Sequence, residues 1–165
     1  MIRQWEKQFK RTAVYLAPAA YGEAVDFDKA FDFCKEYTEK NSGLKLMRIY
    51  RDEKIVISGG TDNRTGSRSP LTAEGNDAWL RLLRDTETSA VEAVVIYAAR
   101  TVAPSITALK YIVTEYFIPC GIFFADAEAD FNTAEGDADA YFKARVREYR
   151  SSLKRKPYKK RGDIQ

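Results

Sequence analysis

Hydrophobic and polar positions in the first third of the chain predict a strand, a helix and a second strand. Residues 12–17 read Thr-Ala-Val-Tyr-Leu-Ala, which predicts a short buried strand. Over residues 24–41 the apolar side chains recur at helical spacing, and Asn41-Ser42-Gly43 predicts the end of that helix. Residues 44–51 alternate between apolar and polar side chains and predict the second strand.

The middle of the chain predicts a long loop, a helix and a buried strand. Residues 52–72 are rich in Gly, Ser, Thr, Asp and Asn, and loops of this length in a compact domain are usually functional or mobile. A helix is predicted over residues 74–85. Residues 91–98 form a near-continuous apolar run, which is typical of a parallel strand that is covered on both faces.

The last third continues the alternation of helices and strands. Pro104 predicts the start of a helix that Pro119 ends, and residues 121–125 predict a strand. An acidic loop over 126–136 and a long helix over 137–155 follow. This order predicts an α/β fold: a three-layer domain with a mainly parallel, four- to five-stranded sheet and a long C-terminal helix.

Composition removes several classes of enzyme. The chain has 165 residues and no histidine, and this composition predicts neither a zinc hydrolase nor a Ser-His-Asp enzyme. Gly59-Gly60 lacks the spacing of a phosphate loop or a dinucleotide fingerprint, and we expect no cofactor and no metal. Cys34 and Cys120 lie in apolar stretches and are expected to be buried, reduced thiols.

The two ends of the chain carry charge. The charged start MIRQWEKQFKR and the short run TAVYLAPAA predict neither a signal peptide nor a membrane span, so we expect a cytoplasmic protein with no membrane contact. Residues 154–165 hold six basic residues against one acid, which leaves residues 1–153 with a net charge of −2. The sequence thus predicts one domain over 1–156 and a basic tail over 157–165.

The basic residues near the end of the chain have three interpretations. They make weak, non-specific contacts with DNA phosphates, or they form a solvated end, or they are the start of a linker. Contacts of the first kind would give affinity without reading bases. The residues concerned are Lys154, Arg155, Lys156, Lys159, Lys160 and Arg161.

Five segments match, in order and spacing over residues 12–155, the motif pattern of a known family. They read Tyr15-Leu-Ala-Pro-Ala19, Ile49-Tyr-Arg-Asp52 with Ser58-Gly59, Asn76-Asp-Ala-Trp79, Ala93-Val-Val-Ile-Tyr-Ala-Ala-Arg100 and Asn132-Thr-Ala-Glu-Gly136. Together they resemble the catalytic domain of the serine recombinases, the resolvase/invertase family. The resemblance implies a resolvase-like fold and a role in site-specific DNA recombination or integration on a mobile element.

The departures from the family pattern imply a degenerate active site. In the family, a serine at the end of the first strand attacks a DNA phosphate, and here that position is Ala19. A methyl group cannot attack phosphorus, and residues 12–41 offer no serine in another register. The family's phosphate-binding arginines fall on Ala17, Asn76, Ala103 and Arg100, so the last is the only one kept. The positions that still match are Tyr15, Asp52, Ser58 and Arg100.

Three of the four retained residues also have a purely structural interpretation. Tyr15 is either a site residue or a packed aromatic of the strand, and Asp52 is either a site residue or a turn residue at a strand end. Arg100 follows a buried strand, where ligands of open α/β sheets bind, so it is read either as an anion contact or as a salt-bridge partner.

The last helix carries an apolar seam that consists of Tyr141, Phe142, Val146, Tyr149 and Leu153. Such a seam packs either on the domain's own sheet or against another subunit. We expect an intersubunit helix, in a homodimer or in a hetero-oligomer with a recombinase. Two alternatives stay open: an active recombinase fragment whose site is misaligned, and an unrelated α/β domain that binds a small ligand or anion.

Overall fold

The computed structural model describes residues 9–53, 77–102 and 106–155. The predictions for Ser58, Asn76, Ala103 and residues 156–165 therefore lie outside the described residues. In the described part of the chain, no helix combines the length and the apolar character needed to cross a bilayer.

Within these ranges the chain forms five strands and four helices, in the order that the sequence predicts except for the additional strand β5. The strands are β1 (Lys10–Leu16), β2 (Leu44–Arg51), β3 (Ala93–Ile96), β4 (Phe123–Asp126) and β5 (Phe131–Asn132). The helices are α1 (Phe27–Lys40), α2 (Asp77–Glu87), α3 (Ile106–Ile112) and α4 (Ala138–Arg155). A 3₁₀ turn at Ala99–Thr101 follows β3, and α3 continues as a π-helical turn over Val113–Phe117.

The strands form a single sheet in the order β2-β1-β3-β4-β5. All neighbours are parallel except β4 and β5, which are antiparallel. The predicted mainly parallel sheet is therefore confirmed. The sequence interpretation missed β5, which lies in the segment expected to be an acidic loop, because a strand of two residues is too short to show a period.

Side chains of β1 alternate between two cores, and this alternation produces the three layers. Ala13 and Tyr15 pack in a core with residues of α2, α3 and α4. Val14 and Leu16 pack in the opposite core against α1. Burial of each large apolar side chain contributes about 1.5–3 kcal/mol, so the central strands anchor both layers.

Local capping fixes the ends of α1, which ends where the sequence predicts but begins three residues later than residue 24. The Asp26 carboxylate accepts hydrogen bonds from the amides of Asp28 (2.8 Å) and Lys29 (3.3 Å). These bonds satisfy two of the amides that a helix N-terminus leaves unpaired. At the other end, the Asn41 amide donates to the Thr38 carbonyl, which closes the helix.

The two cysteines differ in environment. Cys34 is fully buried on α1, as expected, and burial raises the pKa of its thiol to about 12. Cys120 is exposed, so the expectation of burial is wrong for this residue. It sits in the turn that ends the π-helical segment, where its amide donates to the Tyr116 carbonyl and its side chain reaches solvent.

Candidate functional site

The loop after β1 lies against the carboxyl ends of both neighbouring strands. The Asp52 amide, after β2, donates to the Leu16 carbonyl (3.0 Å), and the Ala20 amide donates to the Arg100 carbonyl, after β3 (2.6 Å). From β1 the chain crosses to β2 on one side, whereas β3 leads to β4 on the other side. Connections therefore diverge between β1 and β3, which makes this edge the topological switch point where open α/β sheets bind ligands.

Tyr15 and Asp52 form a buried pair that anchors α2. The Tyr15 hydroxyl donates to Asp52 Oδ2 (2.7 Å), and the amides of Ala78 and Trp79 donate to the same carboxylate at 2.9 and 3.2 Å. Burial, followed by the hydrogen bond and the charge of Asp52, raises the pKa of Tyr15, so the phenol stays protonated. The contacts thus give this pair a structural role: the carboxylate caps the first turn of α2 from a distant strand.

Ala17 and Ala19 follow β1 and bring no reactive group to the switch point. Ala17 is buried and Ala19 is half-buried. Ala19 directly precedes the amide that is bonded to Arg100. The segment after β1 therefore meets the segment after β3 at this point, and the side chains that β1 contributes are the methyl groups of Ala17 and Ala19.

Arg100 ties the loop after β1 to the turn after β4. Its Nε donates to the Glu23 carbonyl (3.1 Å), and its Nη1 forms an ion pair with Glu128 (2.9 Å). Its side chain is only 16% exposed. Burial lowers the pKa of this guanidinium, but the hydrogen bond and the charge of Glu128 outweigh that effect and raise it. Arg100 is thus a salt-bridge partner in this structure.

A cleft of about 580 Å³ separates the loop after β1 from α4. Tyr21 and Arg100 lie on the loop side, and Arg145, Arg147 and Glu148 lie on the α4 side. Sequence reasoning had not selected Tyr21 or Arg145 as site residues.

Arg145 is largely buried beside the apolar seam. Its guanidinium stands over the Tyr141 ring at 4.9 Å, and its side chain is 15% exposed. The spacing carried a signal, because Arg145 lies four residues from both Tyr141 and Tyr149 and so shares their face of the helix.

The seam of α4 mostly faces the domain's own core, which corrects the predicted interface. Tyr141 and Phe142 are 6% and 1% exposed, and the Tyr141 hydroxyl donates to the buried carboxylate of Asp126. These two residues are therefore unavailable to another subunit. Val146 and Tyr149 are partly buried against the same core, and Leu153 is 51% exposed. Lys154 and Arg155 end the helix, and their side chains lie outside the described part of the structure.

Asp126, at the end of β4, is the one strongly perturbed carboxyl among the described residues. Burial raises its pKa to about 6, although the hydrogen bonds from Tyr141 and Ala129 and the charge of Arg145 act in the opposite direction. Over the described ranges, no group of three or more Cys, Asp and Glu residues is arranged to hold a metal ion.

The chain was compared with known proteins by sequence and by structure, and only the structural comparison found similar proteins. No family model and no curated protein matches the sequence. Among solved structures, the N-terminal catalytic domain of TP901-1 integrase is similar, with a TM-score of 0.60 and 20% identity over 87% of this chain and 98% of that one. A resolvase family site-specific recombinase from Streptococcus pneumoniae is also similar, with a TM-score of 0.57 and 11% identity over 88% and 91% of the two chains. At these identities the likeness concerns the fold, and the chain has the fold of a serine recombinase catalytic domain, as the motif pattern predicted.

Proposed function

We propose that this chain is a catalytically inactive, serine-recombinase-like domain that acts by association in DNA recombination or in its regulation. The observation that carries the proposal is Ala19, the residue that the resemblance puts in the position of the nucleophile at the end of β1. A phosphoserine intermediate needs a hydroxyl at that point. Ala17 and Ala19 supply none.

The other positions that the resemblance assigns to the active site also lack the chemistry of phosphoryl transfer. That reaction needs cations that hold the non-bridging oxygens as charge develops. Arg100 is engaged with Glu128. Tyr15 cannot replace the serine, because its hydroxyl is buried and donates to Asp52. Tyr21 is a poor substitute, because burial raises the pKa of its phenol.

Covalent trapping on DNA tests the loss of catalysis. The chain is incubated with an end-labelled duplex library of random sequence and then denatured in SDS, with heat-unfolded chain as the control. We expect no SDS-resistant protein–DNA adduct from either sample. An adduct formed only by the folded chain, and mapped by mass spectrometry to a serine such as Ser58, would establish an active recombinase with a misaligned site.

Association is proposed to occur through the exposed side of α4. Leu153 is the large apolar side chain that this helix exposes, and Val146 and Tyr149 lie on the partly buried flank. The partner is a second copy of the chain or an active recombinase that presents the same surface. Residues 1–156 form the associating domain in this proposal, and the basic tail over 157–165 adds weak, non-specific contact with DNA phosphates.

A further inference from the structure

The cleft between the loop after β1 and α4 has the position and the polarity of a ligand site. It opens at the switch point between β1 and β3, where connections diverge and leave room above the sheet. Three arginines line it: Arg100, Arg145 and Arg147. The lining acids are Glu23 and Glu148, and Ser151 and Ser152 add hydroxyl groups.

Two buried donors beside this cleft are unsatisfied within the described part of the chain. Neither the Tyr21 hydroxyl nor Arg145 Nε has a hydrogen-bond partner among the described residues. Native proteins pair nearly all buried polar groups, and an unpaired one costs about 1–3 kcal/mol. Packing holds both groups in place, because the Tyr21 and Tyr149 rings pack edge to face with their centroids 4.9 Å apart, and the Arg145 guanidinium lies over the Tyr141 ring.

The same residues also share an electrostatic environment. Burial and the charges of Glu148 and Asp126 raise the pKa of Tyr21, and the charges of Arg145 and Arg100 partly offset this rise. Tyr21, Arg100 and Arg145 also line the same cleft, so the phenol and the two guanidinium groups lie around one small region. An acceptor placed there would bond to the neutral Tyr21 hydroxyl and to Arg145, and the charge of Arg100 would add to its attraction.

Glu148 stands in the position that an anionic ligand would take. Its carboxylate pairs with Arg145 Nη2 at 3.2 Å, yet its side chain is 58% exposed. The Glu148 carboxylate can turn into solvent when a ligand takes its place, because this end of the ion pair is exposed whereas Arg145 is largely buried. Arg147 is exposed and forms no ion pair with the described residues, so its charge is available to the ligand.

From these contacts we propose that the cleft binds a terminal phosphate, either as inorganic phosphate or as the end group of a phosphate monoester. A guanidinium group can donate two parallel hydrogen bonds to two oxygens of one phosphate, and a phenol adds a further donor. Because the donors are buried, only a group at the free end of a ligand can reach them. A terminal phosphate fits this requirement, since it carries three free oxygens on one phosphorus. A phosphodiester inside a duplex, joined on both sides, exposes two such oxygens and is held at the surface by its neighbours.

Inorganic phosphate is the first probe, measured by calorimetric titration of the folded chain. We expect one saturable site. Arg145→Gln and Arg147→Gln should each weaken binding by about 10-fold, as loss of a hydrogen bond to a charged group implies. Tyr21→Phe should weaken it by about 5-fold while the ring packing is kept. Glu148→Gln should tighten binding, because it removes the competing carboxylate.

Arg150→Gln is the matched control, since Arg150 is an exposed arginine of α4 that does not line the cleft. This control should bind phosphate within about twofold of the unmodified chain. Tyr21→Phe and Arg147→Gln keep the test decisive if Arg145→Gln fails to fold. The proposal is overturned if binding is not saturable, or if the cleft variants bind as tightly as the control.

Oligonucleotides separate the two sources of phosphate. A short single strand with a 5′-phosphate is compared with the same strand that ends in a 5′-hydroxyl. The terminal-phosphate site predicts tighter binding of the first strand, and inorganic phosphate should remove the difference, because any contact of the basic tail with the backbone is the same for both strands. Equal binding of both strands would refute it, because the backbone would then be the ligand. These outcomes are independent of covalent trapping and of the solution mass, which test the proposed function.

Discussion

Removal of the Asp52 carboxylate should destabilise the fold, although the resemblance assigns this position to the active site. Asp52 is 6% exposed and accepts three hydrogen bonds, from Tyr15 and from two amides of α2. Asp52→Ala leaves the first turn of α2 without its cap. It also leaves the Tyr15 hydroxyl buried without a partner.

The expected cost follows from these two losses. A lost helix cap costs about 1 kcal/mol, and a buried, unsatisfied hydroxyl about 2 kcal/mol, so Asp52→Ala should cost about 3 kcal/mol of unfolding free energy. Tyr15→Phe should cost about 1 kcal/mol, because the carboxylate keeps its two amide donors. The double variant should cost about 2 kcal/mol, because Tyr15→Phe removes the hydroxyl that Asp52→Ala would otherwise leave unpaired. This cost is about 2 kcal/mol less than the sum of the two single costs.

Urea unfolding followed by tryptophan fluorescence measures these costs. Trp79 is a suitable probe, because it is 1% exposed and the centroid of its ring lies 4.9 Å from that of Tyr15. Asp32→Ala is the control: this exposed aspartate of α1 should change stability by less than about 0.5 kcal/mol. Additive costs for Tyr15 and Asp52, or a cost of Asp52→Ala no larger than that of the control, would refute the structural role of the pair.

Two further predictions concern packing and pH. Gly136→Ala should destabilise the protein by about 1–3 kcal/mol in thermal or urea unfolding, because a β-carbon there would lie 2.6 Å from the Phe131 ring. Gly43→Ala is the control, since a β-carbon at that position would have no atom within 4 Å. Equal effects of the two substitutions would contradict this reasoning. The raised pKa of Asp126, about 6 in the folded state, means that the folded chain holds this proton more tightly than the unfolded chain. Its contribution to stability should therefore fall by about 2 kcal/mol as the pH rises from about 4 to about 7, and Asp126→Asn should abolish that part of the slope; an unchanged slope would contradict the assignment.

The sequence predicted the layers of the fold well, because each signal is local. The apolar run over β3 indicated a strand covered on both faces, and Asn41 marked the end of α1. The capping of α2 by Asp52 was not predictable in this way. The residues that bond are 26 and 27 positions apart, and their contact depends on the pairing of β1 with β2.

The site was predicted less well, because a periodic pattern shows which face of a helix is apolar but not what covers it. Tyr141 and Leu153 belong to one apolar seam, yet the first is buried in the domain and the second is half-exposed. Arg145 lies about 40° from Tyr141 around the helix, inside that seam, at 100° per residue. This position indicates burial of its stem, but its place beside Tyr21 depends on the loop after β1.

Light scattering measures the central claim, which is association through α4, most directly. The solution mass is determined for the unmodified chain, for Leu153→Asp, and for Ile118→Asp as a control that changes a comparably exposed apolar residue elsewhere. We predict twice the chain mass of 18.8 kDa for the unmodified chain and the control, and a single chain mass for Leu153→Asp. A single chain mass for all three, or a dimer that Leu153→Asp leaves intact, would contradict association through this helix.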